Sequence, residues 1–244
     1  MEKKEVITGR NPVLEYLKSI KGAIRGELHV SSSAHGKIIT DIENMARSRN
    51  IQILRQEKDY FKKISSSSSH QGVALIIHKK NEKADPDTIL SRIIEDKGVI
   101  ILLDQITDPH NLGSIIRSAE ALGCAAVVIP KNNSADINET VIKASAGATA
   151  YMEIISISNV ARFLDQIKKD GFWIVGTSDQ GSVKINELSR IRPACLIVGS
   201  EGKGMRRLTE EKCDYIVSIP LKGKVSSLNA SVAAGIVLYE ILKS

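Results

Sequence analysis

Val99-Ile-Ile-Leu-Leu103 is five apolar residues in a row, with nothing polar to mark a wet face. A strand of that kind is buried on both sides, so its sheet needs helices on both faces. That narrows the chain to an α/β design in which short strands alternate with crossover helices. The pattern continues to the C-terminus. Further strands are predicted at Ala125 to Ile129, Met152 to Ile155, Trp173 to Thr177, Cys195 to Val198 and Tyr215 to Ile219. Helices are predicted over Leu112 to Leu122, Asn138 to Ala146, Val160 to Lys169 and Leu228 to Leu242. Ligands of such a sheet gather at the carboxyl ends of its strands.

Residues 6 to 78 show the same alternation on a smaller scale. Gly9-Arg-Asn-Pro12 opens a helix, with Asn11 as candidate cap and Pro12 at the first helical position. Then come a strand at Glu27 to Ser31 and a helix over Ile38 to Arg49, with Ile38, Ile42, Met45 and Ala46 inward. A strand at Ile51 to Leu54, a helix at Lys58 to Ile64 and a strand at Val73 to Ile77 complete a small α/β sandwich. Ser65 to Ser69 is a five-serine run and reads as a loop. Lys79 to Asp87 is charged, holds Pro86 and reads as a linker, followed by a helix over Thr88 to Asp96. The expected organisation is a first domain over 1–78, a linker and leading helix over 79–97, and a larger domain over 98–244.

The charge balance bears on partners. Lys and Arg number 34 against 28 Asp and Glu, a net +6 that favours a polyanion. Aromatics are only 4%, which argues against a base-stacking platform. Cys124, Cys195 and Cys213 form no Cys-x-x-Cys pair; they read as buried small hydrophobes in a reducing compartment, not as a disulfide frame or zinc site. Met1 to Glu5 lacks the apolar core of a signal peptide, and no apolar run approaches the ~18 residues of a membrane span. The expectation is a cytoplasmic protein with no metal and no membrane partner.

Three clusters follow strands of the larger domain. The first runs from Asp104 to Glu120 and includes Asp108-Pro-His-Asn111 and Arg117. Asn111 can cap the helix. Arg117 falls off the face made by Leu112, Ile115, Ile116, Ala119 and Leu122, and its planar fork suits a phosphate. The second is Ile197-Val-Gly-Ser-Glu-Gly-Lys-Gly-Met205, a strand running straight into glycines, where backbone N–H groups can approach a ligand. Gly199 and Gly204 have P-loop spacing, but Met205 stands where the lysine belongs, and the glycine order is not that of a dinucleotide fingerprint. Glu201 sits among these glycines. The third is Ile219 to Glu240. Pro220 ends the strand, and Ser226 or Ser227 can cap the last helix. Together with Asn229 they put more polar groups there than one cap uses. Leu228, Val232, Gly235, Ile236, Tyr239 and Leu242 fall on one face of that helix. Three clusters at strand ends point to one shared pocket.

In order and spacing, these clusters resemble motifs 1, 2 and 3 of the SpoU family of RNA ribose 2'-O-methyltransferases, part of the SPOUT superfamily. Gly9-Arg-Asn-Pro-Val-Leu-Glu15 and His70-Gln-Gly-Val73 resemble the L30e-like substrate-binding domain that precedes many members. The resemblance implies an α/β fold: an L30e-like N-terminal domain and a SPOUT domain with a deep trefoil knot. It implies S-adenosyl-L-methionine bound in bent form, with Gly199, Ile219 and Leu228 lining the site, and a homodimer formed through the knotted domain. It implies that Arg117 holds the phosphate beside the target ribose, and that this phosphate or the arginine assembly assists deprotonation of the hydroxyl. Asn111, Glu201, Ser227 and Asn229 match the family's other polar active-site positions and would orient the substrate and Arg117. The two-domain layout is most similar to enzymes that methylate a guanosine ribose in the peptidyl-transferase region of 23S rRNA, although tRNA-modifying relatives share every motif. Lys3, Lys4, Arg10, Lys58, Lys62 and Lys63 are candidate RNA phosphate contacts. The rivals are a catalytically silent RNA-binding or ribosome-assembly protein and a nucleotide hydrolase. The hydrolase fails for want of a phosphate loop with lysine or a metal-binding carboxylate cluster.

Overall fold

The computed structural model describes the chain except residues 1–2, 21–24, 65–69, 80–84, 201, 203, 225–226 and 244. The five-serine run, Glu201 and Ser226 lie outside the described residues. The chain divides into one unit of Met1–Lys83 with Ile137–Tyr151, and another of Ala84–Asp136 with Met152–Ser244.

The first unit contains β1 (Lys3–Thr8), α1 (Arg10–Ser19), β2 (Arg25–Ser31), α2 (Lys37–Ser48), β3 (Gln52–Gln56), α3 (Lys58–Ile64) and β4 (Val73–Lys79). Its sheet runs β1-β4-β2-β3, with β4 antiparallel to both neighbours and β2 parallel to β3. Strand β1 escapes the sequence pattern because its first half is charged; Val6 and Ile7 nevertheless pair with Ile76 and Leu75. Helix α1 starts at Arg10, and the cap is Gly9, not Asn11. Gly9 takes φ 98°, a region glycine reaches without steric cost, and this swings the chain sharply from strand to helix. The N–H of Arg10 donates to Gln71 Oε1 at 3.1 Å. In α2 the buried stripe is Ile39, Ile42 and Ala46, while Ile38 and Met45 are only partly covered.

The second unit contains α4 (Pro86–Glu95), β5 (Val99–Asp104), α5 (Pro109–Ala121) and β6 (Ala126–Pro130) before a break. The intervening segment carries α6 (Glu139–Ala144). The unit resumes with β7 (Ile154–Ile157), α7 (Val160–Lys169), β8 (Trp173–Thr177), β9 (Val183–Lys184), β10 (Ala194–Gly199), α8 (Arg207–Glu210), β11 (Tyr215–Ser218) and α9 (Ala230–Leu242). The sheet order is β7-β6-β5-β10-β8-β11-β9, and its pairs are parallel. All six residues of β5 and all six of β10 are buried, as an unbroken apolar run requires. Ile100, Leu102, Ile174 and Ile197 pack with Leu90 and Ile93 of α4 and Phe163, Leu164 and Ile167 of α7. Helices α5 and α9 pack on each other, α5 against β6 and α9 against β10.

Helix α9 turns the opposite way from the sequence expectation. Ala230, Ala234, Val237, Leu238 and Ile241 face inward, and Val232, Ile236 and Tyr239 are 49%, 38% and 57% exposed. The helix is apolar nearly all round, so periodicity cannot choose its inner stripe; the small Ala230 and Ala234 decide it by permitting close approach.

Helix α6, predicted as a crossover of the large sheet, packs in the first unit instead. Ile142 joins the apolar cluster of Ile7, Val13, Leu17, Leu28 and Leu75. The Thr8 hydroxyl donates to Glu139, Lys143 Nζ meets Glu139 Oε1 at 2.8 Å, and the Tyr151 hydroxyl donates to Glu15 Oε2 at 2.7 Å. Gly147 lies so close to α1 that a Cβ there would stand 2.9 Å from Glu15 Cβ.

Candidate active site

Strand order builds the site. β5, β10, β8 and β11 are consecutive and parallel, so their carboxyl ends, Asp104, Gly199, Thr177 and Ser218, lie along one edge of the sheet. In register, Gly199 stands opposite Asp104, Gly176 opposite Ile197 and Thr177 opposite Val217. The loops leaving these strands are therefore neighbours, where an open α/β sheet binds ligands.

Those loops approach one another through bare backbone. After Gly199 the chain folds back: Ser200 N–H donates to the Gly204 carbonyl at 3.1 Å, and Gly204 N–H to the Ser200 carbonyl at 2.9 Å. A Cβ on Gly199 would lie 2.2 Å from Gly204 C and Met205 N, so no other residue fits that loop. Gly181, after β8, has the same constraint, since its Cβ would lie 2.4 Å from Val217 C. The Ser218 hydroxyl donates to the Gly181 carbonyl at 2.9 Å, and the Thr177 hydroxyl to the Ile197 carbonyl at 3.1 Å. Beyond β11, Ile219 and Leu228 are half-buried and Leu221 is exposed.

Asn111 and Asn229 meet. Asp108, not Asn111, caps α5, accepting from His110 N–H at 3.0 Å and Asn111 N–H at 3.4 Å, with Pro109 at the first helical position. Asn111 is the third residue of the helix, and its side chain is not the cap. Asn229, not Ser226 or Ser227, caps α9; its Oδ1 accepts from Ser231 N–H at 2.9 Å, Val232 N–H at 3.4 Å and the Ser231 hydroxyl at 2.6 Å. Those three donors fix which end of the amide is oxygen, so Nδ2 donates to Asn111 Oδ1, at 3.0 Å. Further along, Gly235 lies against Ser118. The two helices thus run side by side in one direction, and both positive ends arrive at the asparagine pair. Anions are favoured there.

Arg117 is exposed, and among the described residues no carboxylate pairs with it. It is six residues beyond Asn111, which helix geometry makes about 9 Å along and about 120° round. Within one chain, Arg117 and the asparagine pair therefore do not share a face. Ser227 is exposed, two residues ahead of the cap. Asp104 and Arg206 are pieces the sequence reading passed over. Asp104 is wholly buried, and it receives Arg206 N–H at 3.1 Å, Nε–H at 2.9 Å and Nη2 at 2.7 Å. A carboxylate closing an otherwise apolar strand was the available signal, because a buried charge must find a partner.

Comparison with known proteins decides the family. A model described as the SpoU rRNA methylase family matches residues 98–239, and one for RNA 2'-O ribose methyltransferase substrate binding matches residues 6–83. The chain belongs to the SpoU rRNA methylase family. A Staphylococcus saprophyticus protein provisionally named a TrmH family tRNA/rRNA methyltransferase is 38% identical over 240 residues, covering 98% of this chain and 95% of its own. In fold, an rRNA methyltransferase of Sinorhizobium meliloti, solved with AdoMet bound, aligns with TM-score 0.78 and 21% identity over 98% of this chain and 86% of that one. The TrmH/SpoU tRNA modifying enzyme of A. aeolicus aligns with TM-score 0.54 and 30% identity over 64% of this chain and 82% of its own. The second unit is a SPOUT-type α/β domain, and this SpoU protein is an RNA 2'-O-ribose methyltransferase whose methyl donor is S-adenosylmethionine. The residues present suit that donor. Close-packed glycine backbones at Gly181 and Gly199, with apolar Ile219 following directly on β11, suit an adenine and its ribose better than a polyphosphate. Among the described residues no group of acidic, His and Cys side chains could hold a metal ion, and no helix is long and apolar enough to cross a membrane.

Proposed function

We propose that the substrate is 23S rRNA, that the methylated group is a guanosine ribose of the peptidyl-transferase region, and that the enzyme works as a cytoplasmic homodimer. The observation that carries the choice of rRNA is the first unit, an α/β sandwich additional to the catalytic sheet. The rRNA enzyme of S. meliloti is matched across both units, whereas the A. aeolicus tRNA enzyme is matched over 64% of the chain. Lys58, Lys62 and Lys63 are exposed on α3 of that unit, although Lys62 shares its charge with Asp59 at 2.7 Å. Lys3 and Lys4 remain candidates on sequence grounds.

Bound S-adenosylmethionine supplies an electrophilic methyl on a sulfonium. In this reading Gly199, Ile219 and Leu228 hold it, by backbone and apolar contact. Arg117 binds the phosphate next to the target ribose with its two-pronged guanidinium. Asn111, Ser227 and Asn229, with Glu201 from the glycine loop, orient the ribose and Arg117. The 2'-hydroxyl proton leaves with help from the held phosphate or the arginine assembly, and the positive helix ends favour the developing alkoxide. The separation of Arg117 from Asn111 within one chain supports pairing of two chains through the knotted domain: a second chain can supply the arginine that one chain turns away. The exposed Val232, Ile236 and Tyr239 stripe on α9 is the surface we assign to that pairing.

The test is a map of ribose methylation in total RNA from cells with and without the gene. Loss of one 2'-O-methylguanosine from 23S rRNA is the expected result. Loss from tRNA, with 23S unchanged, would transfer the enzyme to the tRNA-modifying branch. Sedimentation of Tyr239→Glu as a monomer, against a dimeric parent, would support the α9 interface.

A further inference from the structure

We infer that Asp104 and Arg206 form a clasp that keeps the glycine loop in its cofactor-binding shape, and that both are positioning residues for S-adenosylmethionine. The inference rests on the assignment of Gly199 to the cofactor site. The loop starts beside Asp104, because Gly199 is its register partner across β5 and β10. It also ends on Asp104, because both the main chain and the side chain of Arg206 return to that carboxylate, at 3.1 Å, 2.9 Å and 2.7 Å. The chain thus leaves β10 beside one wholly buried carboxylate and is tied back to the same carboxylate at Arg206.

Two further holds lie between Gly199 and Arg206. Ser200 and Gly204 exchange both main-chain hydrogen bonds, and Met205 is buried over Gly176 of β8. Both feet of the loop are therefore fixed. A charge-assisted two-pronged bond is the strongest of these holds. Arg206 is also the residue preceding α8, and its carbonyl accepts from Thr209 N–H at 2.8 Å. Release of Arg206 would free the loop and the start of α8 together. Burial explains why Asp104 rather than a surface carboxylate does this: removed from water, it has strong reason to hold its partner.

The experiment compares Asp104→Asn, Arg206→Gln and Arg206→Lys in the full-length protein. Two measurements are made: affinity for S-adenosylmethionine by calorimetry, and hydrogen–deuterium exchange of the 199–206 peptide without added cofactor. Asn and Gln keep the shape and remove a charge; Lys keeps the charge but not the fork. Asp104→Asn and Arg206→Gln should bind the donor at least tenfold more weakly and exchange the Ser200 and Gly204 amides at least tenfold faster. RNA affinity should stay within twofold, and Arg206→Lys should fall between these variants and the parent. Unchanged exchange overturns the clasp and leaves Gly199 in the cofactor site. Faster exchange with unchanged donor affinity also overturns it, and removes Gly199 from that site as well. Should Asp104→Asn fail to fold, the two Arg206 variants decide by the same criteria.

Discussion

Gly199→Ala is the sharpest probe of the site, because the structure fixes both the place and the size of the insult. The new Cβ would lie 2.2 Å from Gly204 C, 2.2 Å from Met205 N and 2.4 Å from Gly204 O. That is about 1.3 Å inside the ~3.5 Å optimum for carbon contacts. All three atoms are backbone, so no rotamer change relieves the clash. Overpacking of this kind costs about 1–3 kcal/mol, and with no soft neighbour the upper half of that range applies. The cheapest escape is to break the Ser200–Gly204 pair and open the loop, which leaves the sheet intact. The cost then falls on donor binding: about 2 kcal/mol or more is a loss of at least about 30-fold in affinity for S-adenosylmethionine. Melting should fall by less than about 4 °C, since a chain of this size loses about 2–4 °C per kcal/mol carried by the whole fold. Calorimetric titration and a thermal melt read the two numbers. Gly176→Ala is the control, because its Cβ would meet Met205 Cε at 2.6 Å and Cys213 Sγ at 2.7 Å, side-chain tips that can swing aside. It should weaken donor binding by less than about tenfold. A Gly199→Ala protein that binds the donor within twofold of the parent would refute the reasoning.

Arg117→Ala should abolish methyl transfer while donor binding by calorimetry stays normal; near-normal turnover would remove the arginine from the mechanism. Asn229→Ala loses a helix cap and the bond to Asn111, so it should cost about 1 kcal/mol of stability and lower kcat in a folded protein, read by melting and single-turnover kinetics. Ile142→Ala should destabilise the first unit by about 2–5 kcal/mol, seen as lost exchange protection in β1 and β4. Burial raises the thiols of Cys124 and Cys213 from 9.0 to about 12, and that of Cys195 well above 9.0. The folded chain then keeps protons that the unfolded chain releases, so stability should be level below pH 9 and decline between pH 9 and 12, measured by denaturant titration at stepped pH.

The sheet of the second unit was legible because its strands are apolar runs with clear ends; Trp173 to Thr177 and Val160 to Lys169 were read to the residue. What stayed hidden has physical causes. Two-residue β9 is too short to carry a pattern. Strand β1 is half charged, and α9 is apolar around its whole circumference. The caps were misplaced wherever several polar residues stood in line: Asp108 precedes Asn111, and Asn229 follows Ser227, and only the fold chooses among them. At the site, the polar residues could be singled out in sequence, but their relations could not. Nothing in the spacing of Asn111 and Asn229 shows that one amide donates to the other. Nor does it show that Arg206 returns to Asp104, because those contacts join positions more than a hundred residues apart.

The helix that Ile142 anchors in the first unit sets an order of events during synthesis. Residues up to Lys79 leave the ribosome with the seat for Ile142 empty, and the piece that fills it ends at Tyr151. At about 5–20 residues per second the nascent sandwich waits roughly 4–14 s for its last part, after β5 and β6 have already emerged. Cutting the chain at the linker would make that gap permanent, so a first domain transplanted between relatives must carry both stretches of sequence.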